Sequence, residues 1–104
     1  MSNLKNKRVI TAALCGSWAT KDMNPAGPYT PEEIARDAYE CWKAGAAIVH
    51  IHVRNADGSP STKFELYKET IERIRAFPDC DVCLNITSSG SVDFGDEERI
   101  YPLQ

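Results

Sequence analysis

The chain of 104 residues has no cluster of basic residues and no long apolar run. Its 12 Lys and Arg are outnumbered by 15 Asp and Glu, which gives a net charge of −3. Binding to a phosphate backbone needs clustered basic side chains, so we expect no nucleic-acid partner. A membrane-spanning helix needs about 20 consecutive apolar residues, so we expect no membrane partner. The polar start and the short apolar segment after it do not match a signal peptide, and we expect one domain in the cytoplasm.

Cysteine is present, but its spacing does not build a zinc ribbon. The chain has four cysteines, at positions 15, 41, 80 and 83. Cys80 and Cys83 form a single Cys-x-x-Cys pair, and a ribbon needs a second pair. Because residues i and i+3 of a strand face opposite sides, this spacing favours packing roles over metal or redox chemistry.

Histidine is equally scarce, and its two copies stand together. His50 and His52 lie in the run Ala46–Arg54, which alternation and apolar content predict to be a strand. Positions i and i+2 share one face of a strand, so both imidazoles point the same way. Two convergent neutral imidazoles begin a zinc site. The opposite face is predicted to pack, and it carries Ala47, Val49, Ile51 and Val53. The alternative is a pair of polar residues facing solvent at a strand end.

Strands and helices are predicted to alternate along the chain. Thr30 is the expected N-cap of the first helix, with Pro31 at its first position and Glu33 completing a capping box. Gly45 is expected to end that helix. The predicted order is a buried strand at 8–15, a helix at 31–45, the histidine strand at 46–54, a turn cluster at 55–60, a helix at 63–77, a strand at 80–87, and the start of a third helix from 96. The expected apolar stripes are Ile34, Ala38, Cys41 and Trp42 on the first helix, and Phe64, Tyr67, Ile71 and Ile74 on the second.

This alternation predicts parallel strands joined by right-handed crossovers, with all helices on one face of the sheet. The other face stays bare unless the sheet closes into a barrel. On the third strand Cys83, Asn85 and Thr87 form the inward row, which becomes polar toward the carboxyl end. Active sites of (β/α)₈ barrels collect at that end, where both histidines also fall. We therefore interpret residues 1–104 as the first three strands of a (β/α)₈ TIM-type barrel, an α/β fold.

Several segments together resemble the family of β-keto acid cleavage enzymes. They are Ile10-Thr11-Ala12-Ala13, Thr30-Pro31-Glu32-Glu33-Ile34-Ala35, the run Ala44–Arg54 with its His-x-His, and Asp57-Gly58-Ser59-Pro60-Ser61. The resemblance implies a (β/α)₈ barrel well over twice as long, of which this chain is the amino-terminal part. It also implies a homo-oligomer, and a reaction in which a β-keto acid and the co-substrate acetyl-CoA give acetoacetate and a new acyl-CoA.

The resemblance also assigns roles to residues of this chain. It implies one divalent metal, usually zinc, held by His50, His52 and a later glutamate. It implies that the hydroxyl of Thr87 and the backbone N–H of Gly90 contact the substrate, although ordinary turn chemistry also explains both residues. The third metal ligand, and an arginine and an aspartate that assist the reaction, are expected beyond Gln104. We therefore expect residues 1–104 alone to be inactive.

Three further residues are interpreted beside the resemblance. Trp18 stands where the family member acting on an amino-substituted keto acid has a glutamate. This difference predicts a substrate side chain that is apolar or aromatic and not cationic. The alternative is that Trp18 packs under its loop. Arg54 either holds a carboxylate in the reaction or forms a structural ion pair. Asn85 points inward and is expected among the substrate-binding residues, where it would also hydrogen-bond a metal ligand.

Two other functions remain open from the residues alone. Barrels of the amidohydrolase type also carry a strand-borne His-x-His, although normally on the first strand, whereas here a strand precedes it. A non-enzymatic partial chain is the other possibility, since an open sheet with unpaired edges tends to associate.

Overall fold

Helices and strands alternate through most of the molecule. A computed structural model describes residues 4–91 and 93–103. The elements in chain order are β1 (Thr11–Ala13), α1 (Pro31–Lys43), β2 (Ile48–Ile51), β3 (Val53–Arg54), β4 (Pro60–Ser61), α2 (Phe64–Arg75), β5 (Cys83–Ile86) and α3 (Asp96–Ile100), with 3₁₀ turns at Leu4–Asn6 and Tyr101–Leu103.

The main sheet is parallel, with β2 in the centre. Its order is β1-β2-β5, and both neighbours run parallel to β2. His50 is aligned with Ala13 on one side and with Asn85 on the other. The parallel α/β arrangement predicted from the sequence is therefore confirmed. This register places Asn85 directly beside the first histidine.

Helix α1 begins as its sequence predicts. The Thr30 hydroxyl accepts a hydrogen bond from the N–H of Glu33 at 3.1 Å, and the Glu33 carboxylate accepts one from the N–H of Thr30 at 3.4 Å. This capping box satisfies two backbone donors that the first turn would otherwise leave without partners. The helix ends before Gly45, whose φ of +117° suits a residue without a Cβ atom.

The core lies between the helices and one face of the parallel sheet. Side chains from both layers are fully buried there, among them Ile34 and Ala38 of α1, Val49 and Ile51 of β2, and Ile74 of α2. On the opposite face the side chains of Thr11, Ala13, Cys83 and Asn85 are exposed. The described part of the chain is therefore a half-covered α/β layer, which is compatible with part of a barrel.

The predicted strand 46–54 is wrong in its extent, because the chain leaves the sheet after Ile51. The next residue pair, Val53–Arg54, forms β3 and pairs antiparallel with β4. The residues between β3 and β4, predicted only as a turn cluster, form a hairpin loop. A hydrogen bond from the Asn55 N–H to the Ser59 carbonyl closes this loop at 2.8 Å. The start of the strand also differs from the prediction, because β2 begins at Ile48. Ala46 is buried, and Ala47, which was predicted to pack, is exposed.

The two outer strands are shorter than predicted. Val9 and Ile10, expected in a buried strand, are 75% and 55% exposed. They precede β1, which among the described residues has a partner strand only on its β2 side, so this edge of the sheet is less covered. The predicted strand 80–87 is likewise reduced to β5.

The stripe on α2 differs from its prediction at one end. Phe64 is 43% exposed, and Thr70 is fully buried in its place. The Thr70 hydroxyl donates to the carbonyl of Leu66 at 2.7 Å, so this polar side chain satisfies itself within the helix. The predicted start of the third helix at residue 96 is confirmed, since α3 begins at Asp96.

The Cys-x-x-Cys pair points to opposite sides, as its spacing predicted. Cys80 is buried in the core, and Cys83 is exposed on the uncovered face of the sheet. The packing role is confirmed for Cys80 and is wrong for Cys83, because no layer covers that face in the described residues. Among residues 4–91 and 93–103, no helix is long and apolar enough to cross a membrane.

Candidate metal centre

The two histidines converge at the carboxyl end of β2. The Nε2 atom of His50 lies 3.2 Å from the Nε2 atom of His52, and the ring planes are inclined by 70°. His50 is the third residue of β2, and His52 follows the last one. The shared direction predicted from strand alternation therefore survives, although the second histidine lies just outside the strand.

This spacing fits two ligands of one zinc ion. Zinc–imidazole bonds of about 2.0–2.1 Å, meeting at a tetrahedral angle, separate the two nitrogens by about 3.3–3.4 Å, close to the distance found here. The side chains need no large movement to meet this requirement. The geometry of the pair is thus compatible with two adjacent positions of a tetrahedral site.

Asn85 holds the first histidine in place. Its Oδ1 atom is hydrogen-bonded to Nδ1 of His50. An amide oxygen only accepts, so Nδ1 carries the proton, and the lone pair of the ring is on Nε2, which faces His52. This is the hydrogen bond that the sequence predicted for Asn85. Such partners orient metal-binding imidazoles in proteins.

The second histidine is half-buried, and this affects its charge. Burial lowers the pKa of His52, and the nearby His50 and Arg54 lower it further. The neutral imidazole is the form that binds a metal, so the surroundings favour a ligand over a surface cation. The loop after β1 contacts this residue, because the Cys15 thiol donates to the His52 carbonyl.

No third ligand joins the pair in the described part of the chain. Within residues 4–91 and 93–103, no group of three or more His, Cys, Asp or Glu side chains is arranged to hold a metal ion. Catalytic zinc sites generally have three protein ligands. The described residues thus place two imidazoles together, and metal binding by them stays a prediction.

Thr87 follows β5, and its hydroxyl closes a turn. The Oγ1 atom accepts from the N–H of Ser89 at 3.0 Å and lies 2.9 Å from the Ser89 hydroxyl. Its carbonyl accepts a hydrogen bond from the Tyr67 hydroxyl at 3.1 Å. The turn chemistry considered in the sequence is thus present, and contact with a substrate stays a prediction.

Position 90 favours glycine because of its backbone conformation and its close neighbours. Its φ is +56°, and a Cβ atom there would lie 2.8 Å from Cγ2 of Thr62 and also collide with the ring of Phe94. Arg99 of α3 binds the surrounding loop, with hydrogen bonds to the carbonyls of Ser89 at 2.8 Å and Ser91 at 3.0 Å. The loop conformation is therefore set by packing, whatever its N–H groups bind.

Arg54 makes contacts other than the predicted ion pair, and its role in holding a carboxylate stays a prediction. Its guanidinium is buried, with the residue only 3% exposed, and its hydrogen bonds go to backbone carbonyls. The acceptors are Gly16 at 3.1 and 3.0 Å, Ala19 at 2.8 Å, Gly58 at 2.9 Å and Cys15 at 3.4 Å. The predicted ion pair is wrong among the described residues, because β3 turns the side chain under the loop that follows β1.

Trp18 lies at the tip of that loop. It is 81% exposed, so the alternative in which it packs under the loop is wrong. It borders a surface cavity of about 430 Å³ that Lys21, Tyr29 and Arg54 also line. An exposed indole at the rim of a cavity is available to a ligand, and its effect on substrate choice stays a prediction.

Sequence reasoning missed two connections of the site. Tyr67 was expected only in the core, yet its hydroxyl supports the carbonyl of Thr87. The Cys15 thiol donates to the carbonyl of His52 at 3.4 Å, and burial raises the pKa of this thiol. Both partners are distant in sequence, and no local pattern signals either contact.

Comparisons with known proteins show the family of this chain. A family model described as "beta-keto acid cleavage enzyme" matches residues 7–104. The chain is 46% identical over 102 residues to a 3-keto-5-aminohexanoate cleavage enzyme of Fusobacterium nucleatum subsp. nucleatum, covering 97% of this chain and 37% of the relative. A protein of the same name from Acetoanaerobium sticklandii is 43% identical over 98 residues, covering 93% and 35%.

A third relative acts on a different compound. The chain is 42% identical over 97 residues to a 3-dehydrocarnitine:acetyl-CoA trimethylamine transferase of Rhizobium meliloti, covering 90% of this chain and 32% of that protein. The chain thus spans about a third of the length of the curated relatives it matches. These similar identities to relatives with different substrates do not select one substrate.

Proposed function

Because the chain belongs to the β-keto acid cleavage enzyme family, we propose that it is the amino-terminal, metal-binding part of a (β/α)₈ barrel that cleaves a β-keto acid with acetyl-CoA. The 3.2 Å approach of the two histidine Nε2 atoms carries this proposal. The half-covered parallel sheet supports it, since further β-α units would close over the exposed face.

In the proposed reaction an acyl group changes partners. The R–CO group of R–CO–CH₂–COO⁻ passes to the sulfur of coenzyme A, and the acetyl group of acetyl-CoA joins the CH₂–COO⁻ portion. The products are acetoacetate and a new acyl-CoA, so all atoms balance. The bond that breaks joins the ketone carbon to the CH₂ group of the β-keto acid.

The residues of this chain would bind and orient the substrate. His50 and His52 would hold the zinc ion, and Asn85 would keep the first ring aligned. The ion would polarise the ketone oxygen as a Lewis acid. The hydroxyl of Thr87 and the N–H of Gly90 would bind the carboxylate, which backbone donors in a loop after a strand are suited to do.

The same proposal extends to specificity and assembly. The exposed indole of Trp18 would contact the distal group of the keto acid, which favours an apolar or aromatic substituent. The remaining metal ligand, and the groups that assist deprotonation and acyl transfer, would come from the rest of the barrel. The complete protein would be a homo-oligomer, as the family resemblance implies, and it would be cytoplasmic, as the polar start of the chain predicts.

A chimera tests the reaction. Residues 1–104 are joined to the part of the Fusobacterium relative that lies beyond the matched region, and acyl-CoA formation from several β-keto acids is followed by chromatography. We expect activity with acetyl-CoA, and at least a 100-fold loss in His50→Ala. Lys68→Ala, which changes an exposed helix position, is the matched control.

The outcome that rejects the proposal is also defined. Circular dichroism and zinc content first establish that the chimera is folded and loaded. A folded, zinc-containing chimera that cleaves no β-keto acid contradicts the proposed reaction. One that keeps full activity in both His50→Ala and His52→Ala contradicts the metal centre. Comparing apolar, aromatic and cationic keto acids tests the role of Trp18 separately.

A further inference from the structure

We propose that Arg54 is a positioning residue that holds the loop tip, Ser17–Trp18, against the β3–β4 hairpin, at the cavity that Trp18 borders. The inference deepens the proposed function, since it assigns control of the substrate-facing loop to a side chain that does not touch substrate. It rests on the contacts of a buried guanidinium whose partners come from two separate segments.

The guanidinium binds the loop on both sides of its tip. Nε and Nη2 donate to the carbonyl of Gly16, just before the tip, at 3.1 and 3.0 Å. Nη2 also donates to the carbonyl of Ala19, just after the tip, at 2.8 Å. Both ends of Ser17–Trp18 are thereby attached to one rigid planar group. The side chain of Trp18 is left outside, consistent with its exposure.

These bonds also set the direction of the neighbouring N–H groups. A trans peptide is planar, so the carbonyl of one residue and the N–H of the next point in opposite directions. When Gly16 and Ala19 turn their carbonyls toward Arg54, the N–H groups of Ser17 and Thr20 must face away from it. Arg54 therefore controls the polarity of the loop surface as well as its position.

A second segment locks the same guanidinium. Nη1 donates to the carbonyl of Gly58 in the β3–β4 loop at 2.9 Å, and the ring of Tyr29 lies 4.9 Å below. A Cβ atom on Gly58 would lie 2.7 Å from this ring, so the turn and the ring are closely packed. The loop after β1 and the hairpin are thus joined through one side chain.

Burial makes this connection cooperative. None of the ion pairs among the described residues includes Arg54, so carbonyl dipoles and the Tyr29 ring replace the water that burial removed. A buried cation without such partners is strongly unfavourable. The loop therefore cannot leave without exposing or stranding the charge. Loop order and guanidinium burial should be lost together.

The same loop begins at the metal centre. The N–H of Leu14 donates to the carbonyl of His50 at 3.4 Å, and the thiol of Cys15 donates to the carbonyl of His52 at 3.4 Å. Arg54 itself follows His52 by two residues. The base of the loop is therefore hydrogen-bonded to the histidine segment, and Arg54, in the same segment as the histidines, holds the loop further along at Gly16 and Ala19.

The test compares Arg54→Lys with the unchanged chain. Lysine keeps the positive charge but lacks the planar fork that reaches several carbonyls at once. Backbone order parameters of Ser17 and Trp18 are measured by ¹⁵N relaxation. We expect about 0.85 in the unchanged chain and below about 0.6 in the variant. Hydrogen exchange of residues 16–20 should become at least tenfold faster, while exchange in α1 stays unchanged.

Arg75→Lys is the matched control. Its guanidinium donates to a single carbonyl, that of Cys80, at 3.3 Å, far from the loop tip in sequence. The control should leave residues 16–20 unchanged. Gly58→Ala perturbs the same anchor from the other segment and should loosen the loop tip without altering Arg54.

Each result decides the inference. A loop tip that is already disordered in the unchanged chain, or that stays ordered in Arg54→Lys, overturns it. If Arg54→Lys unfolds, the unchanged chain still decides: slow solvent exchange of the Arg54 Nε–H supports the anchor, and fast exchange overturns it. Zinc titration is performed separately. Failure of the chimera described above to bind zinc would count against the proposed metal centre and leave the loop result intact.

Discussion

Removing the amide that orients His50 should weaken metal binding by a defined amount. In Asn85→Ala the Nδ1–H of His50 loses its protein acceptor. Loss of such a partner typically lowers metal affinity by about 10- to 100-fold, or about 1.4–2.7 kcal/mol. Asn85 is exposed on the open face of the sheet, so water replaces part of the interaction. We therefore expect the lower end, about a tenfold loss.

The assay is a zinc competition titration against a chromophoric chelator at fixed pH. Asn85→Asp restores an acceptor and adds a negative charge beside the imidazole, so it should bind zinc at least as tightly as the unchanged chain. Asn55→Ala is the matched control, because Asn55 bonds only within its hairpin among the described residues. Thermal unfolding shows that each variant is folded.

Two results would refute this reasoning. If Asn85→Ala binds zinc as tightly as the unchanged chain, the amide does not orient a ligand. If Asn85→Asp is no better than Asn85→Ala, the acceptor itself is irrelevant, and the aligned register of Asn85 with His50 has only structural meaning.

Three further predictions follow from individual contacts. Burial raises the pKa of Tyr67 to about 12, so its contribution to stability is complete below pH 10 and is lost as pH rises toward 12. In urea titrations the free energy of unfolding should therefore fall between pH 10 and 12 by up to about 1.4 kcal/mol per pH unit. Tyr67→Phe should remove this contribution, and an unchanged slope in the variant would contradict the prediction. Gly90→Ala should lower the free energy of unfolding by about 1–3 kcal/mol because of its φ and the Phe94 ring, and a neutral effect in urea unfolding would show that the loop yields. Purified residues 1–104 alone should show no acetyl-CoA-dependent cleavage of any β-keto acid, and detectable acyl-CoA product lost in His50→Ala would prove this wrong.

Local features of the fold were readable from the sequence, because their partners are close along the chain. The capping box joins residues three apart, Thr30 and Glu33. The convergence of His50 and His52 follows from the two-residue repeat of extended backbone. The resemblance to the family was likewise found from short segments. The family model confirms it and thereby excludes the amidohydrolase alternative.

Contacts between distant segments were not readable in this way. The strand containing the histidines was predicted to continue to Arg54, since its residue types remain suitable for a strand. The structure ends β2 at Ile51, because the following residues find an antiparallel partner in β4. That change moves Arg54 away from the predicted ligand face and under the loop after β1.

The sequence alone determined the helix starts, the parallel α/β order and the two imidazoles that share a direction, since each depends on backbone periodicity and neighbouring side chains. Only the tertiary structure decided which groups serve the site from afar. Asn85 reaches His50 across 35 positions, and Arg54 reaches the Gly16 carbonyl across 38. Hydrogen bonds over such separations depend on strand register and loop path, and these are set by packing of the whole layer.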